Sequence, residues 1–485
     1  MPIGIWVSLL AYFVLMLAIG VYAWRKSTSS SEDYVLGGRD LPPAVAALSA
    51  GASDMSGWLL LGLPGALYAT GLVEAWIAVG LFIGALVNWI VVAPRLRQQT
   101  EEYDNSLTIP GFLGNRFPSQ AKLLRVVSAI IIVVFFSVYT ASGLVGGGKL
   151  FASAFGGDYM TGVLLTLGIV LVYTVMGGFL AVSLTDFVQG CIMMLALVIM
   201  PLVILTTQGG SGVDQAIERL TTADPNYLSM FKGLTLIGWL SAMAWGLGYF
   251  GQPHIIVRFM ALRSVADVPK ARRIGMSWMG ISLLGAVAVG VFGRAYVLRT
   301  GIEVTDPETI FIVLAGMLFH PLVTGFLYAA LLAAIMSTVS SQLLVASSSL
   351  TEDIYHSLFK RSATDRELVT IGRLAVVAVG LVAVVIAADP NSSVLGLVAN
   401  AWAGFGAAFG PLIILALTWK RMNGAGAIAG LIVGALTVML WISTGLKAST
   451  GLYEIVPGFI AAWIAIVVVS NMTPDRGEYR ASKSA

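Results

Sequence analysis

The chain predicts an all-α polytopic membrane protein of about thirteen spanning helices, ten of them arranged as two five-helix units in inverted relation. Three observations carry this prediction. Of the 485 residues 58% are hydrophobic and only 11% charged, with a mean hydropathy of +0.88, far too apolar for a water-soluble globule. Apolar stretches of spanning length recur from one end of the sequence to the other. Two of these stretches carry the same glycine and proline interruptions and begin five spans apart, so they cross in opposite directions, as two units related by an in-plane axis would.

Taken in order, hydropathy places spans at about 3–24, 44–69, 73–94, 123–147, 158–177, 183–207, 233–252, 274–297, 309–348, 369–388, 394–418, 424–444 and 453–471. The first has no basic residue before it and Arg25 and Lys26 after it. That is the reverse of a cleavable signal's charge order, so the segment is expected to stay as an anchor. The second holds Asp54 among Gly51, Gly57, Gly62, Pro64 and Gly65. A carboxylate facing lipid at mid-depth costs roughly 2.5–3.5 kcal/mol, so Asp54 should face the protein interior or a wet cavity, with the glycines letting the helix backbone open. A helix end or surface loop is the other reading of that stretch.

Asp186 follows Gly177-Gly178-Phe179-Leu180-Ala181-Val182-Ser183 near the cytoplasmic start of the sixth span, where it reads equally as a solvated or capping residue and as one that acts in ion release. The seventh span carries the second interruption, Trp245-Gly246-Leu247-Gly248-Tyr249-Phe250-Gly251-Gln252-Pro253. The ninth region is too long for one crossing, and is expected to divide into a short helix at about 307–319 and a span at about 322–348.

Lysine and arginine set the expected orientation. Alternate connections hold Arg25, Lys26 and Arg39; Arg95, Arg97, Arg116, Lys122 and Arg125; Arg258, Arg263, Lys270, Arg272 and Arg273; Lys360, Arg361, Arg366 and Arg373; Lys420 and Arg421; and, in the tail, Arg476, Arg480 and Lys483. The opposite connections hold Lys149, Arg219, Lys232, Arg294, Arg299 and Lys447. A bias of about 22 to 6 places the N-terminus outside and the tail in the cytoplasm.

The composition excludes several classes of function. A single cysteine, Cys191, leaves no internal disulfide framework and no cysteine-rich metal site. His254, His320 and His356 are dispersed, without the carboxylate pairing of a metal enzyme or a nucleophilic triad. There is no glycine-rich loop ending in Lys-Ser/Thr, which argues against ATP-driven transport, and no basic stripe with interleaved aromatics to suggest nucleic acid.

Two constellations could carry chemistry. In the ninth span Ala334, Ser337, Thr338 and Ser341 recur at spacings of three and four, on one helical face. Such hydroxyls commonly bond their own backbone or a neighbouring helix, but here they are denser than that role requires. A hard monovalent cation such as sodium takes oxygen ligands. The carbonyls of Ala52 and Met55 with Ala334, Ser337 and Thr338 could supply five, leaving Asp54 to set the local field or to ligate transiently. The second constellation is aromatic: Trp58, Tyr139, Trp245 and Tyr249 beside glycine-rich backbone suit a small ring or apolar side chain, with opened-helix amides for a carboxylate.

At these residues the sequence resembles the sodium/solute symporter family over about residues 5–470. The resemblance rests on ordered stretches: Asp33-Tyr34-Val35-Leu36-Gly37-Gly38-Arg39, then 48–65, 177–186, 245–260, 333–353 and 401–411, with Arg421 followed by Gly426-Ala427 and Gly430. It implies a leucine-transporter-like fold, one transmembrane transporter domain over 1–472 with repeats at about 44–207 and 233–418, and a short cytoplasmic tail at 473–485. The implied activity is sodium-coupled uptake of L-proline across the cell inner membrane, with no enzyme activity, no cofactor beyond the coupling ion, no nucleic acid and no obligate protein partner. Ala52, Met55, Ala334, Ser337 and Thr338 match the family's sodium-ligand positions, and Asp54 and Asp186 match carboxylates tied to sodium coupling. Trp58, Tyr139, Trp245, Tyr249 and Pro253 match substrate positions, with Ser53, Ser56 and Gly57 in the same functional stretch. The nearest alternatives are another small solute, such as pantothenate, a short carboxylate or a sugar, and a membrane sensor that binds proline without moving it.

Overall fold

A computed structural model of the chain describes residues 2–26, 30–207 and 212–473. Among these, every regular element is helical, and the one isolated β-bridge joins Leu41 to Leu262. Among the described residues ten helices are long and apolar enough to cross a membrane, and the bent pair Pro43–Asp54 and Trp58–Thr70 raises this to as many as eleven. The two other expected spans fall on Tyr159–Val172, which is short, and on a stretch from Leu236 to Ala261 that is only partly regular helix. The tail, with Arg476, Arg480 and Lys483, lies outside the described residues.

Burial orders the bundle. The most apolar windows of Val394–Thr418 and Pro321–Phe359 are 89% and 83% buried, which puts these helices at the centre. Those of Ile3–Lys26, Asp365–Ile386 and Ile455–Met472 are only 28% buried, so their outer faces meet lipid. Those faces carry Leu10, Val385 and Ile464, which is what a hydrocarbon solvent requires.

The structure sharpens one expected element and corrects two others. The second span opens where the glycines allow it, into two arms bent by 61°, because the Met55-Ser56-Gly57 stretch leaves helical geometry. The fifth and sixth spans meet without a loop: Tyr159–Thr206 runs on through a single non-helical residue, Gly178, at φ 56° and ψ −148°. The seventh does not stop at 252. Its helix Leu236–Met243 tightens to a 3-10 segment at Ala244–Gly251, and Pro253, whose missing N–H suits a first helical turn, starts a further helix to Ala261. Arg258 therefore lies inside the protein rather than in a cytoplasmic connection, with no exposed surface.

The 3-10 segment packs tightly against Ala75–Glu102. A Cβ on Gly84 would sit 2.2 Å from Gly246 O, and one on Gly246 would sit 2.3 Å from Gly80 O. Only glycine permits backbones this close, the usual device for helix contact in lipid.

Candidate functional site

The break in the second span creates the site. A regular helix would bond Ser56 N–H to Ala52 O, four residues back. Here Ser56 N–H donates to Asp54 O at 2.9 Å, and Met55 turns the chain at ψ 79°. Ala52 O is released from the helix ladder and accepts from Ser337 Oγ at 2.7 Å and Thr338 Oγ1 at 3.3 Å. The same hydroxyls lie 3.2 and 3.3 Å from Ala334 O. Four of the five expected oxygens thus converge, each on a residue with 1% exposure or less. Met55 stands at the turn itself, and neither hydroxyl donates to it. A compact, uncharged set of oxygens suits a small, hard, monovalent ion.

Asp54 is 2% exposed, so the surface-loop reading fails. Its Oδ2 accepts a hydrogen bond from Tyr249 OH, and its Oδ1 has no hydrogen-bond partner among the described residues. Its main-chain oxygen, freed by the break, accepts from Trp58 Nε1 at 3.1 Å and Tyr139 OH at 3.2 Å as well as from Ser56 N–H. Three of the four expected aromatics therefore meet on one residue. Trp245 stands apart: its carbonyl accepts from Trp402 Nε1 at 2.7 Å and its ring stacks on Tyr453. Trp402 joins the two groups, meeting the Tyr249 ring edge-on at 5.0 Å.

The remaining expected residues shape the break. Ser53 Oγ donates to Ala50 O at 3.1 Å, Ser56 Oγ accepts from Trp58 N–H at 3.4 Å, and Gly57 abuts Ile335. Pro253 is buried at the start of its helix. A cavity of about 20 Å³ beside Asp54 and Tyr249 holds a water-sized volume, too small for an amino acid, and Trp58, Tyr139, Trp245 and Tyr249 are all buried, so these side chains are closed to solvent in this conformation.

Asp186 is neither solvated nor a cap. It has no exposed surface, and its Oδ2 lies 2.8 Å from Ser49 Oγ, 3.2 Å from Arg258 Nη2 and 3.4 Å from Ser341 Oγ. Ser341 also donates to Ser337 O at 2.7 Å, which ties this buried ion pair to the hydroxyls of the first cluster. The sequence reading missed Ser49, Arg258 and Trp402. For Arg258 the signal was available: a cation and an anion at the soft ends of two apolar stretches are a candidate intramembrane pair.

On the side opposite the basic clusters the bundle is clasped. Lys149, only 9% exposed, reaches both Asp306 and Glu308 at 2.8 Å. Glu308 also accepts from Val394 N–H at 2.9 Å and Leu395 N–H at 3.0 Å, so one carboxylate satisfies the N-terminus of the central helix Val394–Thr418. On the basic side, Arg39 donates to Met260 O at 3.0 Å and Arg97 to Leu262 O at 2.5 Å, holding the end of the Pro253–Ala261 helix.

Comparison with known proteins agrees with this geometry. The family model of the sodium:solute symporter family matches residues 34–434. The chain belongs to that family. It is 56% identical to the osmoregulated proline transporter OpuE of Bacillus subtilis, covering 99% of this chain and 97% of the relative. It is 57% identical to the high-affinity proline transporter PutP of the same organism, over 94% and 96% of the two chains, and 51% identical to the sodium/proline symporter of Staphylococcus aureus, over 98% and 94%. Among solved structures, a Na+-coupled sialic acid symporter in a substrate-bound outward-open state superposes with a TM-score of 0.80 at 20% identity, covering 97% of this chain and 98% of that one. That likeness shows the fold, and the leucine-transporter-like class expected from the sequence holds.

Proposed function

We propose that this multi-pass membrane protein takes up L-proline by sodium-coupled symport, using alternating access in the cell inner membrane. The observation that carries the reading is identity above one half, over nearly the whole chain, to transporters named for proline. The oxygen set at the broken span supports the coupling ion. The excess of lysine and arginine in alternate connections supports an N-terminus outside and a C-terminus in the cytoplasm, with inverted repeats at about 44–207 and 233–418 inside the domain 1–472.

Sodium enters as a co-substrate. Bound among Ala52 O, Met55 O, Ala334 O, Ser337 Oγ and Thr338 Oγ1, it joins the Pro43–Asp54 arm to the helix Pro321–Ser348. The ion shifts the conformational balance only by its difference in affinity between the two states, and this difference is the coupling. Asp54, with its unpartnered oxygen, adds negative potential beside the path, and Asp186 with Ser341 handles the ion further along the same helix. Opening of the broken span offers its amides to the carboxylate of proline, and Trp58, Tyr139, Trp245 and Tyr249 with Pro253 enclose its ring. Inward movement of one sodium charge adds roughly 2.3 kcal/mol per 100 mV.

Competition in sodium-driven membrane vesicles tests the substrate. Excess unlabelled L-proline is expected to abolish uptake of labelled proline, while pantothenate, short carboxylates and sugars leave it unchanged. Proline binding without accumulation would mark a sensor, and uptake of another solute untouched by proline would overturn the specificity.

A further inference from the structure

The connector between the last two helices, outside the expected repeats, reaches onto a residue of the candidate substrate site. Tyr453 is 2% exposed and held by three different contacts. Its ring stacks on Trp245 with centroids 5.2 Å apart at 28°, its hydroxyl donates to Ala399 O at 2.7 Å, and its N–H donates to Ser241 Oγ at 3.0 Å. Ser241 in turn donates to Gly451 O at 3.1 Å, pinning the connector to the helix Leu236–Met243 that leads into Trp245. Lys447 Nζ lies 4.9 Å from the Tyr453 ring centroid and 3.6 Å from the buried carboxylate of Glu454.

Tyr453 therefore bridges two elements: the 3-10 segment that carries Trp245 and the central helix that carries Ala399 and Trp402. The Trp245 carbonyl is held separately by Trp402, while its indole ring lies stacked on Tyr453. A cation beside the ring adds attraction that a bare stack lacks.

We propose that Tyr453 is a positioning residue for substrate: it orients the Trp245 indole and latches the Leu236–Gly251 segment to the central helix when the site is occluded. The proposal rests on the reading of Trp245 as part of the substrate site, and it deepens that reading by extending the site to a loop beyond the repeats.

Two measurements test it. In proteoliposomes, Tyr453→Leu is expected to raise the KM for proline by about threefold to tenfold, the size of effect an aromatic pair carries, with kcat within about a factor of two. Tyr453→Phe, which keeps the stack, should restore most of the affinity. Adding Tyr453→Leu to Trp245→Leu should cost nothing more, because the stack is already gone. Additive losses, or an unchanged KM in Tyr453→Leu, would overturn the positioning role. The second measurement needs no substrate: in a Cys191→Ser background, Ala244→Cys should react faster with a membrane-impermeant maleimide when Tyr453→Leu is added, and at an intermediate rate with Tyr453→Phe, which keeps the stack on Trp245 but loses the bond to Ala399 O. Equal rates in all three would overturn the latch, even for a chain that carries some solute other than proline.

Discussion

Replacing Ser337 by alanine removes one oxygen from the candidate sodium site and almost nothing from the fold. Ser337 Oγ lies 2.7 Å from Ala52 O, the shortest contact in the cluster. Thr338 Oγ1 remains 3.3 Å from the same carbonyl, so Ala52 O is not left unpaired and stability should change by no more than about 1 kcal/mol. A hydrogen-bonding group facing a charge is worth about 1.5–3 kcal/mol, which corresponds to roughly a tenfold to hundredfold change in affinity. With the carbonyls of Ala52 and Ala334 and the Thr338 hydroxyl still in place, the lower end applies. The sodium concentration for half-maximal proline uptake should rise about tenfold, while uptake at saturating sodium stays near the parent value. The assay is initial uptake of labelled proline into proteoliposomes across a sodium titration. The double variant Ser337→Ala/Thr338→Ala leaves Ala52 O without either donor, so it should lose sodium dependence more steeply and also melt earlier. An unchanged sodium midpoint in both variants would refute this assignment of the ion's ligands.

Three further outcomes follow from the packing. Asp186→Asn leaves the Arg258 guanidinium buried and uncompensated, which should cost about 3–5 kcal/mol and lower the melting temperature in detergent. Adding Arg258→Met should recover part of that loss, whereas equal melting of all forms would show that the pair carries no such energy. Lys149→Met removes the cation shared by Asp306 and Glu308, and it should speed hydrogen exchange in the segment 306–318 and slow turnover. Unchanged exchange would remove the clasp from the account. Gly84→Val places side-chain atoms where Gly246 O now lies, so folded yield should collapse, and normal yield would contradict the close crossing.

Much of this architecture was legible because a membrane forces it. Long apolar runs have few solutions in lipid, and the lysine and arginine asymmetry tells adjacent connections apart. Asp54 was legible as well, since a carboxylate among glycines in an apolar run must face the interior, and Ser337 and Thr338 follow from helical spacing. What stayed hidden depends on contacts between distant segments. Hydropathy placed Arg258 in a connection and Asp186 at the start of a span because span ends are soft by a turn, and only the packed helices show that they pair. The extension of the seventh span past Pro253 was concealed by a residue that both ends and starts helices. Trp402 lies in an apolar span and Tyr453 in a short connector, where nothing local distinguishes an aromatic at the site from one in the core.

The most direct test of the whole account is accumulation of labelled L-proline by proteoliposomes under an imposed inward sodium gradient, with potassium replacing sodium as the control. The account predicts concentration of proline above the external level that collapses when the sodium gradient is dissipated. Equilibration without accumulation, or accumulation that is indifferent to sodium, would contradict it.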